Sequence, residues 1–226
     1  MRNPALAAAS ALVATLALCA PAAAAQTEST KTPVIFVHGR NSDAGVWTTM
    51  ISRFESAGDP KSRFFAWDYD TSLSTNEVLS AQLADYVSRV LDETGAEQVD
   101  IVAHSLGSLP SRWYIKFGGG GTTVRNWVSL AGPNHGTSLG YLCALWDQGC
   151  RDMTPGSYVV QHLDEGDPTP GSTRYTTFRS GCDEQIIPTT STMLDGAANL
   201  ETSCLKHNAL LTDPAVADQV HTVLKQ

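Results

Sequence analysis

Apolar residues fall along this chain in two alternating rhythms. Short, mostly continuous runs read as strands: PVIFV (33–37), RFFAWDY (63–69), VDIVA (99–103), NWVSLA (126–131), TRYTTFRS (173–180) and, more weakly, NLETSC (199–204). Continuous runs of this kind belong to strands covered on both faces, as in a parallel sheet. Between them the spacing is helical. The clearest case is Thr75 to Thr94, where Val78, Leu79, Leu83, Tyr86, Val87, Val90 and Leu91 form one stripe. Ser74 and Glu77 have capping-box spacing at its start, and Gly95 can take the left-handed turn that ends a helix. Further helices are expected over Ala44 to Ser56, Leu106 to Phe117 and Pro214 to Leu224. Strands alternating with helices predict an α/β domain: a compact, mostly parallel sheet flanked by helices on both faces. GGGG at 118–121 reads as a tight helix exit. The Pro/Gly/Asp-rich stretch from Gln148 to Gly171 reads as an excursion above the sheet.

The first 25 residues stand outside this alternation. A single Arg2 precedes an apolar stretch from Ala5 to Leu18 and an Ala-rich ending, the layout of a secretory signal peptide. A retained membrane anchor is the competing reading, disfavoured because the apolar run is short of a full span and no basic stop follows. Lipid attachment at Cys19 is weaker still, since bulky Leu18 precedes it. The domain expectation is therefore a signal over 1–25 and one catalytic-size domain over 26–226.

Composition narrows the partners. The chain has 226 residues, 42% of them hydrophobic, with 15 basic and 23 acidic side chains. Removing Arg2 with the signal leaves a formal charge of −9. Such a surface is unsuited to nucleic acid or anionic membranes. Four cysteines remain beyond the signal, an even number suited to an oxidising compartment. Three pairings are possible. Cys143 with Cys150 and Cys182 with Cys204 are favoured because each closes a local loop. A zinc site is the rival, but no CxxC pair or interleaved histidine supports it. A secreted, extracellular monomer is expected.

The candidate chemistry starts at AHSLG (103–107), directly after the strand VDIVA and at the start of a helix. A strand, a sharp turn carrying a serine and then a helix make a nucleophile elbow, in which close contact leaves no room for large side chains two places either side. Ala103 and Gly107 meet that demand. A serine hydroxyl is a poor nucleophile near neutral pH, so Ser105 needs an imidazole base and a carboxylate to orient it. In this arrangement the chain order is Ser, acid, His. His207, in a loop beyond the last weak strand, is the expected base, whereas His221 sits in the terminal helix as a structural or surface side chain. His135 and His162 precede the acid, and His104 beside the serine is expected to be packed or hydrogen-bonded elsewhere. Asp183 is the expected acid because it follows a strand at the carboxyl edge of the sheet, with Glu184 and Asp195 as alternatives.

Two backbone amides complete the set. Leu106 N–H, immediately after the nucleophile, and Arg40 N–H, in the turn after the first strand, are the expected oxyanion donors. The Arg40 guanidinium itself is expected to face solvent. A Cys182–Cys204 bond would tie the acid loop to the base loop. Trp146, Ile186, Ile187 and Leu210 are candidates for lining an acyl site.

Taken together, VLDETGAEQVDIVAHSLGS (90–108), WYIK (113–116), PVIFVHG, SLAGPNHGTSLG and the late Asp…His pair resemble the small secreted bacterial lipases of the α/β-hydrolase fold, the class 2 lipase family, which carry Ala in place of the first elbow Gly. The resemblance implies a triacylglycerol lipase or carboxylesterase with Ser105 as nucleophile, Asp183 as acid, His207 as base and oxyanion amides at Arg40 and Leu106. It implies no metal or organic cofactor. The four cysteines and a longer segment between His135 and Asp183 depart from the family pattern, which leaves a lid and the acyl chain length open. A short-chain esterase or polyester hydrolase is the alternative, and a non-catalytic binding protein on the same scaffold a remote one. With a base of ordinary pKa, ~6.5, activity is expected to fall in acid.

Overall fold

The computed structural model of the protein describes residue 1 and residues 32–226. The expected signal over 1–25, including Cys19, lies outside the described residues. Six strands form one sheet: β1 (Val34–Val37), β2 (Phe64–Trp67), β3 (Val99–His104), β4 (Val124–Leu130), β5 (Arg174–Arg179) and β6 (Ala198–Glu201). They lie in the order β2-β1-β3-β4-β5-β6, and every neighbouring pair is parallel.

Side chains alternate across this sheet, and so do the helices that cover it. On one face Val34 and Phe36 of β1 join Val102, Val128 and Phe178. They pack against Met50 and Phe54 of α1 (Thr48–Ser56) and Val216 and Val220 of α6 (Pro214–Val223). On the other face Ile35, Val37, Ile101 and Trp127 meet Leu83, Val87 and Val90 of α2 (Asn76–Thr94) and Tyr114 and Ile115 of α3 (Ser108–Phe117). Because both of its faces are buried, β1 carries no polar alternation, which is why it stood out as an apolar run.

Three local expectations change. The capping box does not form: α2 begins after Thr75, whose side chain makes no cap, and the amide of Asn76 donates instead to Asp152 Oδ2 at 3.0 Å. A carboxylate 76 positions away does what a local box was expected to do. Val78, counted in the buried stripe, is largely exposed. The stretch over 148–171 is not irregular throughout, since it forms α4 (Gln148–Asp152) and α5 (Tyr158–Asp164), each started by a side-chain cap, Asp147 and Ser157 respectively. Gly95 ends α2 at φ 67°, as its position suggested.

All-parallel pairing sends the carboxyl ends of β1, β3, β5 and β6 to one edge. The chain runs from β1 outward to β2, then returns to place β3 on the other side of β1. A crevice forms where the order reverses, and ligands in open parallel sheets bind there. The loops after β1 and β3 flank that crevice.

Candidate active site

Ser105 stands at the carboxyl end of β3 with φ 52°, a left-handed conformation that non-glycine residues seldom adopt. Such strain persists only where surrounding structure enforces it. The enforcement is visible in its neighbours. A Cβ at Gly107 would come within 2.5 Å of His38 O and 2.7 Å of Val37 O, and one at Gly39 within 2.9 Å of Ser105 Cβ. The demand for a small residue at 107 therefore comes from the end of β1, a neighbouring strand, rather than from the elbow's own strand.

Asp183 and His207 arrive from the loops after β5 and β6. His207 Nδ1 lies 2.9 Å from Asp183 Oδ2 and 3.1 Å from Oδ1, with both side chains 2% exposed. Asp183 Oδ1 also accepts the amides of Gln185 (2.8 Å) and Ile186 (3.0 Å). Burial alone would raise this carboxyl's pKa. The hydrogen bond to His207, the His207 charge and the two amides outweigh burial and hold it below the usual carboxylate value. Its contribution to stability is therefore constant above the unfolded value and is lost only as pH falls through the lower, folded one.

Glu184 points elsewhere. It is exposed, and its Oε2 accepts the backbone amide of His207 at 3.1 Å. Asp195 is exposed on a turn whose carbonyl accepts from Thr169. His221 is buried and pairs with Asp59, which also binds Arg63 at the amino-terminal start of β2, the opposite edge from Ser105. His135 pairs with Asp164, and His162 with the Tyr158 carbonyl.

Two disulfides brace this edge, Cys143–Cys150 and Cys182–Cys204, and they take up all four cysteines among the described residues. Cys182–Cys204 joins the loop carrying Asp183 to the loop carrying His207. Ser180, which sequence reasoning missed, does the same through hydrogen bonds: its hydroxyl donates to Leu205 O (2.6 Å) and accepts from Leu205 N (2.9 Å). A loop the length of Cys182 to Cys204 restricts the unfolded chain by about 3 kcal/mol. Replacing both cysteines by alanine is expected to lower unfolding free energy by roughly that amount. Urea titration checks it, and an unchanged midpoint would show the bond to be dispensable.

His104 is packed, but not away from the site. Its ring centroid lies 4.7 Å from that of His207, and its Nε2 is 3.3 Å from His207 O. Burial, with the neighbouring His207, pushes its pKa down to about 3. Between that value and 6.5 the unfolded chain binds the extra proton, so this residue costs stability as pH falls below 6.5. His104→Asn is expected to flatten the acid-side decline by up to about 1.4 kcal/mol per pH unit. Urea unfolding at pH 7 and pH 5 reads this out, and equal slopes in the two proteins would contradict it.

Ser105, His207, Glu184 and Arg40 line one pocket of about 520 Å³. Of the four acyl-site candidates, only Ile186 is on its wall. Leu210 is fully buried in the core, while Trp146 and Ile187 project outward. The wall comes instead from Leu139 and Leu142, on a segment after β4, and from Met153, within the stretch expected as an excursion above the sheet. The Arg40 side chain is not free in solvent: Nε and one terminal nitrogen each lie 2.8 Å from Asp147 Oδ2. Leu106 turns its side chain into a small cluster with Leu109, Met153, Val159 and Leu163.

Among the described residues, no helix is long and apolar enough to cross a membrane. A family model described as lipase (class 2) matches residues 31–224. Among solved structures, the mature form of a Bacillus licheniformis lipase superposes with a TM-score of 0.75 at 17% identity, covering 87% of this chain and 93% of its own. Aspergillus fumigatus lipase B gives 0.75 at 20% identity, over 88% of this chain and 54% of that one. A Rhodococcus esterase gives 0.60 at 15% identity, over 86% and 90%. At these identities the likeness is one of fold.

Proposed function

Because the chain belongs to the class 2 lipase family and is thus a carboxylic ester hydrolase, we propose that it hydrolyses acylglycerol esters through an acyl-enzyme on Ser105. One observation carries the reading: the strained Ser105 and the Asp183-bound His207 both line the same pocket. In the proposed reaction Ser105 Oγ attacks the ester carbonyl while His207 Nε2 takes its proton. Asp183 accepts from Nδ1, which fixes the tautomer that leaves Nε2 able to receive it. The carbonyl oxygen becomes an oxyanion held by the amides of Arg40 and Leu106. Collapse breaks the bond to the alcohol, which leaves with the proton from His207. Water, deprotonated by His207, then attacks the acyl group, and release of the acid restores the Ser105 hydroxyl. Every proton taken is returned, and the chemistry requires no redox partner.

The pocket rim favours an aggregated ester over a dissolved one. Leu142, on the pocket wall, is continuous in the chain with Tyr141, Leu145 and Trp146, and all four large apolar side chains are exposed, Leu145 at 87%. The negative net charge suits a neutral ester surface. Each such side chain gains about 1.5–3 kcal/mol on burial. The paired change Leu145→Ser and Trp146→Ser is therefore expected to lower fatty-acid release from an emulsified triacylglycerol at least ~10-fold. Hydrolysis of a dissolved acetate ester should change little. Equal losses on both, or no rise in rate past the solubility limit, would favour the short-chain esterase reading. The N-terminal pattern and the two disulfides support secretion with removal of residues 1–25.

A further inference from the structure

The segment after β4 carries a second feature, on its inner side. Asp147 is buried, and its two carboxylate oxygens face different elements. Oδ1 accepts the amide of Cys150 at 2.9 Å and so starts α4. Oδ2 receives Arg40 Nε and a terminal guanidinium nitrogen, each at 2.8 Å. The Cys143–Cys150 bond closes a loop around Asp147, so the carboxylate is presented from a cross-linked support.

The loop that Arg40 belongs to needs such support. Asn41, the next residue, has φ 52°, a strained value for a side chain larger than glycine. Its amide donates to Thr71 Oγ1 at 2.8 Å, and Thr71 is itself buried. The two supports are joined to each other, because Gln148 N donates to Ser72 O at 3.2 Å. The same helix start also lies close to the side chain of the other expected donor: a Cβ at Gly149 would come within 2.7 Å of Thr71 O and 3.0 Å of Leu106 Cδ2. One disulfide-closed loop thus touches both residues whose amides would bind an oxyanion.

We infer that Asp147 is a positioning residue for ester hydrolysis: by gripping the Arg40 guanidinium from the Cys143–Cys150 loop, it sets the direction of the Arg40 amide in the oxyanion hole. This rests on the reading of Ser105 as nucleophile. Its effect belongs to the transition state. A misdirected donor binds the ground-state carbonyl little worse but loses strength where charge develops. Removing a whole oxyanion donor costs about 10²–10³ in kcat, so loosening one is expected to cost ~10–50-fold.

The test compares wild-type protein with Asp147→Asn, which keeps an oxygen to cap α4 and loses the charge, and with Arg40→Ala, which leaves Asp147 and its cap in place. Each is assayed for kcat and KM on a dissolved ester and for the affinity of n-butylboronic acid, which forms a tetrahedral anionic adduct on an active serine. The expected result is a fall in kcat and in boronate affinity by similar factors, with KM within about twofold. The two changes combined should cost no more than the larger alone. Unchanged kcat and boronate affinity in Arg40→Ala would overturn the inference, as would losses confined to thermal stability or to KM. Failure of the underlying reading looks different: wild-type protein itself would form no boronate adduct.

Discussion

Ser105→Ala is expected to leave a folded protein whose ester hydrolysis falls by at least ~10⁴-fold, with the melting temperature unchanged or raised. In the proposed mechanism the loss is large because the hydroxyl supplies the bond-forming oxygen, and neither His207 nor the amides can replace it. Removal of His207 should cost as much, and removing both little more, since a nucleophile and its base act as one unit. The stability direction follows from the backbone. Ser105 holds φ 52° close to Gly39, where even a Cβ would come within 2.9 Å of Ser105 Cβ, and that backbone strain is not relieved merely by losing an oxygen. A substitution to glycine, which takes left-handed geometry freely, should therefore raise stability more than alanine does. Initial rates on a dissolved ester, together with thermal melts of the three proteins, check both parts. A Ser105→Ala protein retaining a tenth of wild-type activity would remove this serine from the chemistry.

The second large effect separates two adjacent carboxylates. Asp183→Asn is expected to lower kcat by about 10⁴ while leaving the fold intact, because an amide can donate to His207 and stabilise the wrong tautomer. Glu184→Gln should cost less than ~10-fold, since that exposed side chain holds only the backbone amide of His207 and a neutral amide oxygen still accepts it. The ratio of the two losses is the informative quantity. Comparable losses would mean the two acids share the role; a larger loss at Glu184 would reverse the assignment. Asp183 is held below the ordinary carboxylate pKa, so it remains charged across the mildly acid range. A decline in activity there consequently does not report protonation of Asp183.

Much of this architecture could be read in the sequence because burial on both faces writes a simple signal. PVIFV is apolar throughout, and VDIVA at every position but Asp100, since alternate residues such as Val34 and Ile35 face opposite helix layers. Chain order then singled out Ser105, Asp183 and His207, which three parallel strands deliver to one edge. What was illegible depended on distant partners. The start of α2 takes its cap from Asp152 rather than from Ser74 and Glu77, and no local pattern encodes a donor 76 residues away. Helices α4 and α5 span five and seven residues, too short for a periodic stripe to declare itself. Hydrophobicity alone could not sort Leu210, inside the core, from Trp146, on the rim. Asp147 was passed over because its significance lies in Arg40, 107 positions earlier.

The most direct measurement is covalent. Wild-type protein treated with an alkyl fluorophosphonate should gain one phosphonyl group per chain, mapped by peptide mass spectrometry to the segment containing Ser105. The same treatment should leave Ser105→Ala unmodified, and His207→Ala modified far more slowly. Modification of a different residue, or none in the wild-type chain, would contradict the assignment of Ser105 as the nucleophile.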